Sequence, residues 1–250
     1  TWWEKLPELA FPEWHPFPHP LIGPMEDLSE ASLEDVEQFF RTYYTPDNAV
    51  LSIAGDFETA EARKLVEEYF GGIPRGEGKP PLENLDVPEK FGETLRLVVE
   101  DEVSLPRLYM AFRSPVFGSD GYYIASVTGA ILGMRRGSRL YRSLVRERQV
   151  AADASAFTFD LAKGTDLLIV DVTAHPGVSA DRLEQEVERE IDLLVSEGVT
   201  KAEVTRAVAL IQTDMITALQ SASDRADKLS MFATLLGDPA LVNEQAAKYD

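Results

Sequence analysis

The sequence predicts an α+β fold, an antiparallel sheet with helices packed on one face. Three observations predict it. Short apolar or alternating runs mark strands at 93–101, 106–114, 151–160 and 166–174. Apolar residues at helical spacing mark helices between and after them. Past residue 92 the order is two strands, two helices, two strands, then helices. That grouping, in place of strict β-α-β alternation, argues for helices gathered on one side of an antiparallel sheet.

Taken in order, residues 1–24 are rich in Trp, Pro and His, and six prolines (Pro7, Pro12, Pro16, Pro18, Pro20, Pro24) forbid a long helix beyond the first turns. An irregular segment hugging a surface is expected. Ser32 and Asp35 read as a capping box. Leu33, Val36, Phe39, Phe40 and Tyr43 follow at helical spacing, and Thr45-Pro46-Asp47-Asn48 breaks the helix. AVLSIAG (49–55) is expected as a buried strand, and Ala60 to Phe70 as a helix.

Residues 71–92 hold five glycines and four prolines without period. The boundary falls there: a first domain at 1–78, a linker at 79–91, a second domain at 92–250. In the second domain, helices are expected at Tyr122 to Leu132, at Ser138 to Arg148, and at roughly 179–197, 201–221 and 223–236, with a short helix near Tyr249. Leu183, Val187, Ile191, Leu194 and Val195 support the first of the later three. A turn at Lys163-Gly164 joins the strand pair.

Composition narrows the function. Apolar residues at 44% and charged residues at 27% are ordinary for a globular protein. No cysteine is present, which excludes disulfides and thiolate metal sites. No run of about 18 apolar residues offers a membrane span, so no membrane partner is expected. A net charge of −19, from 24 basic and 43 acidic residues, repels nucleic acid. The chain opens on Thr1 and not on Met, and a piece of a longer polypeptide is expected.

Two of the three histidines, His15 and His19, stand four apart. On a helix that spacing shares a zinc. Here Pro16 and Pro18 lie between them, and the first carboxylate after His19 is Glu26, so rings stacked in a Pro/aromatic loop are expected instead of a metal site. His175 reads as a turn residue. No phosphate loop, Gly-x-Ser-x-Gly or dinucleotide fingerprint occurs. From residues alone there is no catalytic constellation. The other candidate is arginine-rich: Arg135, Arg136, Arg139, Arg142, Arg146 and Arg148 occupy fourteen residues of an acidic chain. They grip a carboxylate-bearing partner, or they pair internally with Glu147 and the acidic surface.

QFFRTYYTPDNAVLSIAGDFETAEARKLVEEYFGGIPRG (38–75) resembles the M16 metallopeptidases, the family of pitrilysin, insulin-degrading enzyme and the mitochondrial processing peptidase. Tyr43, Tyr44, Pro46, Asn48, Ala49, Gly55, Asp56, Tyr69, Phe70, Gly71, Ile73 and Pro74 carry the resemblance. HPFPHPLIG, ILGMRRGSRLYRSLV, GVTKAEVTRA and LLGDP follow family blocks in order. The resemblance is to the bacterial short-chain type. It implies the M16 peptidase (LuxS/MPP-like metallohydrolase) fold, with a partial first module plus a second module whose C-terminus is truncated.

The resemblance further implies a zinc endopeptidase that cleaves unfolded peptides between two halves. Its inverted His-x-x-Glu-His motif would fall upstream of Thr1, so zinc belongs to the parent protein and none to this chain. The family's Arg/Tyr pair, which reaches the scissile carbonyl, aligns on Val145 and Ala152, which cannot serve. Arg146 is one residue off, about 100° away on a helix. Arg135, Arg136 and Arg139 are then candidates to line the chamber for a peptide substrate. The expected partner, in a homo- or heterodimer, is an M16 subunit carrying the Arg/Tyr pair. The alternative is a non-catalytic M16-like subunit for substrate presentation or assembly.

Overall fold

The computed structural model describes residues 2–19, 23, 25–78, 84–88, 91–161 and 164–250. Two compact units emerge. One contains Thr1–Pro20, Leu85–Asp214 and Lys248–Asp250, the other Leu21–Asn84 and Met215–Ala247.

The first unit is built on a three-stranded antiparallel sheet in the order β1-β3-β2, with β1 Arg107–Ser114, β2 Ala151–Phe159 and β3 Asp166–Ala174. Its central strand, β3, sends apolar side chains to both faces, as a covered middle strand does. Val170, Val172 and Ala174 point into the main core with Leu132, Leu140, Leu144, Leu183 and Val187. Leu167 and Ile169 point the other way, into a second cluster with Ala10 and Phe11.

Helix α5 (Asp120–Gly133), a π-helix (Tyr141–Glu147) and α6 (Ala180–Glu197) supply the first face. Ser119 and Ser179 cap α5 and α6 by accepting the N–H three residues on. Gly198, at φ 72°, ends α6 in a conformation that favours glycine. The other face is covered by the N-terminal helix α1 (Trp2–Ala10) and the irregular segment after it. That segment hugs the surface as expected, and Pro7 inside α1 does not stop it.

Within α6, Leu183 and Val187 are buried and Ile191 and Leu194 partly so, whereas Val195 is 79% exposed. Val195 lies about 120° round the helix from Leu183, away from the buried face. The helix expected over 138–148 starts in α geometry at 139–140 and opens into π geometry from Tyr141 to Glu147. Gln149 follows at φ 54°, an αL position for a non-glycine residue. A register shift between Ala151 and Asp153 leaves Ala152 out of the ladder and exposed. Gly164, at φ 74°, turns between β2 and β3 as expected, while Lys163 lies outside the described residues.

In the second unit, α2 (Met25–Glu30) precedes α3 (Leu33–Tyr43), which carries both halves of the Ser32/Asp35 capping box. Helix α4 is Thr59–Phe70 and α8 is Ala222–Leu235. Helix α7 (Lys201–Ala218) begins in the first unit and ends in the second, the boundary falling after Asp214. No described helix is long and apolar enough to cross a membrane.

Two expected strands are not strands. Residues 49–55 and 93–101 lie outside regular secondary structure, and no ladder forms on either among the described residues. Their composition suits a pleated surface, yet a strand exists only when a partner accepts its N–H and C=O groups. The stretch at 49–55 is also exposed where burial was expected, with Leu51 58% and Ile53 48% accessible. The apolar side chains of α3 share this exposure: Leu33, Val36, Phe39, Phe40 and Tyr43 are all open.

Candidate functional site

The arginine-rich stretch grows out of α5. Gly129 and Gly133 bring that helix against β2: a Cβ on Gly133 would lie 1.7 Å from the Ala156 nitrogen. The chain must turn at once, and Arg135 does so at φ 61°. Ser138 N–H donates to the Arg135 carbonyl (3.2 Å), closing the turn into the next helix.

The structure decides how these arginines are used. Arg135 donates Nη2 to Asp214 Oδ1 at 2.6 Å, an exposed pair. Arg139 grips Glu203 with both prongs, Nε to Oε1 at 2.6 Å and Nη2 to Oε2 at 2.9 Å, and Nη2 also reaches the Gly198 carbonyl at 2.8 Å. Arg142 stands 3.9 Å from Glu147, both exposed. Arg148 ties two buried carboxylates, donating to Glu186 Oε2 (2.5 Å) and Glu190 Oε1 (2.8 Å). Ser143 donates to the same Glu190 oxygen at 2.7 Å, and Arg182 also pairs with Glu186. Arg135, Arg139, Arg142 and Arg148 thus each have an internal carboxylate partner. Of the three candidate chamber arginines, Arg135 and Arg139 are held by carboxylates. Arg136 is exposed with no ion pair among the described residues.

Glu203 is the electrostatic pivot. It accepts from Thr200 N–H (2.8 Å) and Thr200 Oγ1 (2.9 Å), a capping box at the start of α7, while holding Arg139. The Arg139 hydrogen bonds, with those from Thr200 and against the cost of burial, push its pKa down from 4.5 to about 2. Because the folded value is the lower one, this stabilisation is complete above pH 4.5 and is lost as pH falls from 4.5 toward about 2. Wild type and Glu203→Gln should therefore differ in urea midpoint at neutral pH and converge near the lower value. A constant difference would contradict the pairing.

Positions 145 and 152 are placed as their chemistry requires. Val145 packs partly buried against the main core, and Ala152 lies exposed at the bulge. Neither side chain can donate to a carbonyl.

The histidines are not brought together. His15 is fully buried and stacks on Phe11, with ring centroids 4.7 Å apart. Both its nitrogens are engaged, with the Phe17 N–H and the Leu85 carbonyl. His19 and His175 are exposed. No group of three or more His, Cys, Asp or Glu side chains is disposed to hold a metal among the described residues. A zinc site needs three or four converging ligands, and the described donors do not form such a group. What sequence reasoning missed were the partners Asp214, Glu186 and Glu190. Glu203 had a local signal, since Thr200-x-x-Glu203 is itself a capping pattern.

A family profile described as "Peptidase M16 inactive domain" matches residues 30–211. The chain belongs to the M16 peptidase family. Among curated M16 relatives, it is 25% identical over 212 residues to "Zinc protease PqqE" of Helicobacter pylori, covering 84% of this chain and 48% of that protein. It is 24% identical over 233 residues to "Uncharacterized zinc protease YmxG" of Bacillus subtilis, covering 92% and 54%. It is 25% identical over 231 residues to "Probable mitochondrial-processing peptidase subunit beta" of Schizosaccharomyces pombe, covering 86% and 48%. The chain thus spans about half the length of the curated relatives it matches.

The fold is that of M16 proteins of known structure. A protease from Helicobacter pylori superposes with a TM-score of 0.87 at 22% identity, over 99% of this chain and 59% of that one. A peptidase M16 inactive domain from Pseudomonas fluorescens gives 0.78 at 16%, over 98% and 58%. The α+β architecture expected from sequence is the M16 one.

Proposed function

We propose that this chain is the part of a zinc-dependent M16 endopeptidase that carries no metal. It supplies scaffold and chamber wall around unfolded peptides enclosed between two halves. The observation that supports this reading is the inactive-domain match over residues 30–211, alongside relatives named as zinc proteases. In this reading zinc is held by the longer parent protein, in a region that residues 1–250 do not include. The parent works as a homo- or heterodimer with an M16 subunit that provides the Arg/Tyr pair, since Val145 and Ala152 cannot.

Residues 1–78 are then the back part of a first module, 79–91 a linker and 92–250 a second module. The open apolar surface of the second compact unit supports a partial module. Leu51, Ile53, Phe57, Leu65, Tyr69 and Phe70 form one continuous exposed hollow there, larger in character than the isolated apolar residues of an ordinary surface.

Within the chamber wall, Arg136 is the arginine free to meet a peptide carboxylate, and Arg135 can exchange Asp214 for one. The double variant Arg135→Ala/Arg136→Ala of the parent enzyme is expected to weaken capture of acidic peptides several-fold, with the thermal midpoint unchanged. Peptide binding by fluorescence anisotropy reads this directly. Unaltered affinity would remove these arginines from the wall. If the parent with its partner cleaves no peptide at all, the alternative of a subunit for presentation or assembly takes its place.

A further inference from the structure

The N-terminal segment and the end of the linker are fastened to the same face of the sheet, and two side chains do the fastening. The first is His15, with no exposed surface. The Phe17 N–H donates to its Nδ1 at 3.2 Å. A backbone N–H can only donate, so Nδ1 carries the lone pair and the ring proton sits on Nε2. There it is donated to the Leu85 carbonyl at 3.3 Å. Only the neutral imidazole makes both bonds. The rings of Phe11 and Phe17, each 4.7 Å away, and of Trp14, 5.5 Å away, enclose it.

The second is Arg113, near the end of β1. It donates Nη1 to the Pro88 carbonyl (2.5 Å) and Nη2 to the Ala10 carbonyl (3.0 Å), and its guanidinium lies 4.1 Å over the Phe91 ring. Residues 10–17 are therefore tied twice to the described end of the linker, through His15 to Leu85 and through Arg113 to Pro88 and Phe91. Beneath them, Leu167 and Ile169 of β3 are covered by Phe11, Phe17, Val87 and Phe91.

We propose that His15 and Arg113 form an acid-sensitive clasp that holds the N-terminal segment and the linker end on this face of the sheet. Protonation of His15 opens it. An imidazolium turns Nδ1 into a donor facing the Phe17 N–H, so that bond is lost, and it adds a second positive charge near Arg113. Burial pushes the His15 pKa below 6.5, the Leu85 bond opposes this, and the Arg113 charge adds to the lowering. With the folded value depressed, the stabilisation is complete above 6.5 and is lost as pH falls below it.

Arg113 is the charged group that acts on the ring through space among the described residues. On the N-terminal segment Glu13 and His19 are exposed, on the linker Asp86 is exposed, and on this face of β3 Leu167 and Ile169 are followed by Asp171, which is paired with Arg107 at 2.6 Å. Opening would uncover those two apolar side chains and free the linker end.

Hydrogen exchange corrected for intrinsic rates, with NMR of the His15 ring in the full chain, tests the clasp. From about pH 7.5 to about pH 5, protection at 11–19 and 84–87 should fall about tenfold while α6 stays protected. The midpoint should coincide with the His15 ring shift. His15→Phe should flatten the profile; if that variant does not fold, coincidence of the wild-type midpoints decides. The clasp is overturned if both segments stay protected at the lower pH, if they open at a midpoint other than that of His15, or if His15→Phe keeps the wild-type profile.

Discussion

Replacing Gly133 with alanine is expected to destabilise the sheet-bearing unit by about 3 kcal/mol, or roughly 10 °C in its thermal transition. Alanine ordinarily favours a helix over glycine by about 1 kcal/mol, so the sign rests on space alone. The added Cβ would meet the Ala156 nitrogen at 1.7 Å, the Ser155 carbonyl carbon at 2.3 Å and the Ala156 Cα at 2.6 Å. All three are backbone atoms of a paired strand, which no rotamer change can move. Relief requires α5 to lift from β2, and that opens the core around Leu132, Ala154 and Ala156. Gly72, with nothing within 4 Å of a built Cβ and no positive φ, is the matched control and should be neutral. Calorimetry of both variants checks the contrast. An unshifted Gly133→Ala transition would mean that α5 does not approach β2 this closely.

Arg148→Met should cost about 3–5 kcal/mol, because it removes the cation from two buried carboxylates. Glu186 and Glu190 keep only 5% and 8% of their side-chain surface, while Arg148 keeps 26%. Arg182 still reaches Glu186, and Ser143 still donates to Glu190, so neither carboxylate is left wholly bare. What neither substitute provides is a charge shared between the two. Adding Glu190→Gln to Arg148→Met should recover part of the loss, since a neutral amide needs no counter-charge. Urea denaturation of the two singles and the double reads the coupling. Additive losses would show that Arg148 and Glu190 do not interact. Because these groups join the π-helix to α6, the loss should also loosen the turn at Gln149 into β2.

The local parts of this fold were legible, and the non-local parts were not. Ser32, Asp35 and the apolar spacing after them specify α3 within eleven residues, and both halves of that cap are formed. The strands β1, β2 and β3 were placed within a residue or two because each has a partner in this chain. Residues 49–55 and 93–101 have the same apolar character, but pairing belongs to two segments at once, and neither finds a ladder here.

The site divides in the same way. Thr200 and Glu203 advertise themselves at four-residue range, whereas the Arg139–Glu203 pair spans 64 positions and Arg135–Asp214 spans 79. No local pattern carries such pairings. The π geometry at Tyr141–Glu147 was equally invisible, since the apolar spacing there reads as an ordinary helix. The isolation of His15 from His19 was legible, because Pro16 and Pro18 rule out a shared helical face. The bonds of His15 to Phe17 and Leu85 were not.

Metal stoichiometry tests the central claim most directly. The parent polypeptide, expressed from its own start, and the 250-residue chain would be purified side by side and assayed for bound zinc by native mass spectrometry. The reading of this chain as the metal-free part of an M16 zinc protease predicts about one zinc in the parent and none in residues 1–250. Stoichiometric zinc in the 250-residue chain would contradict it.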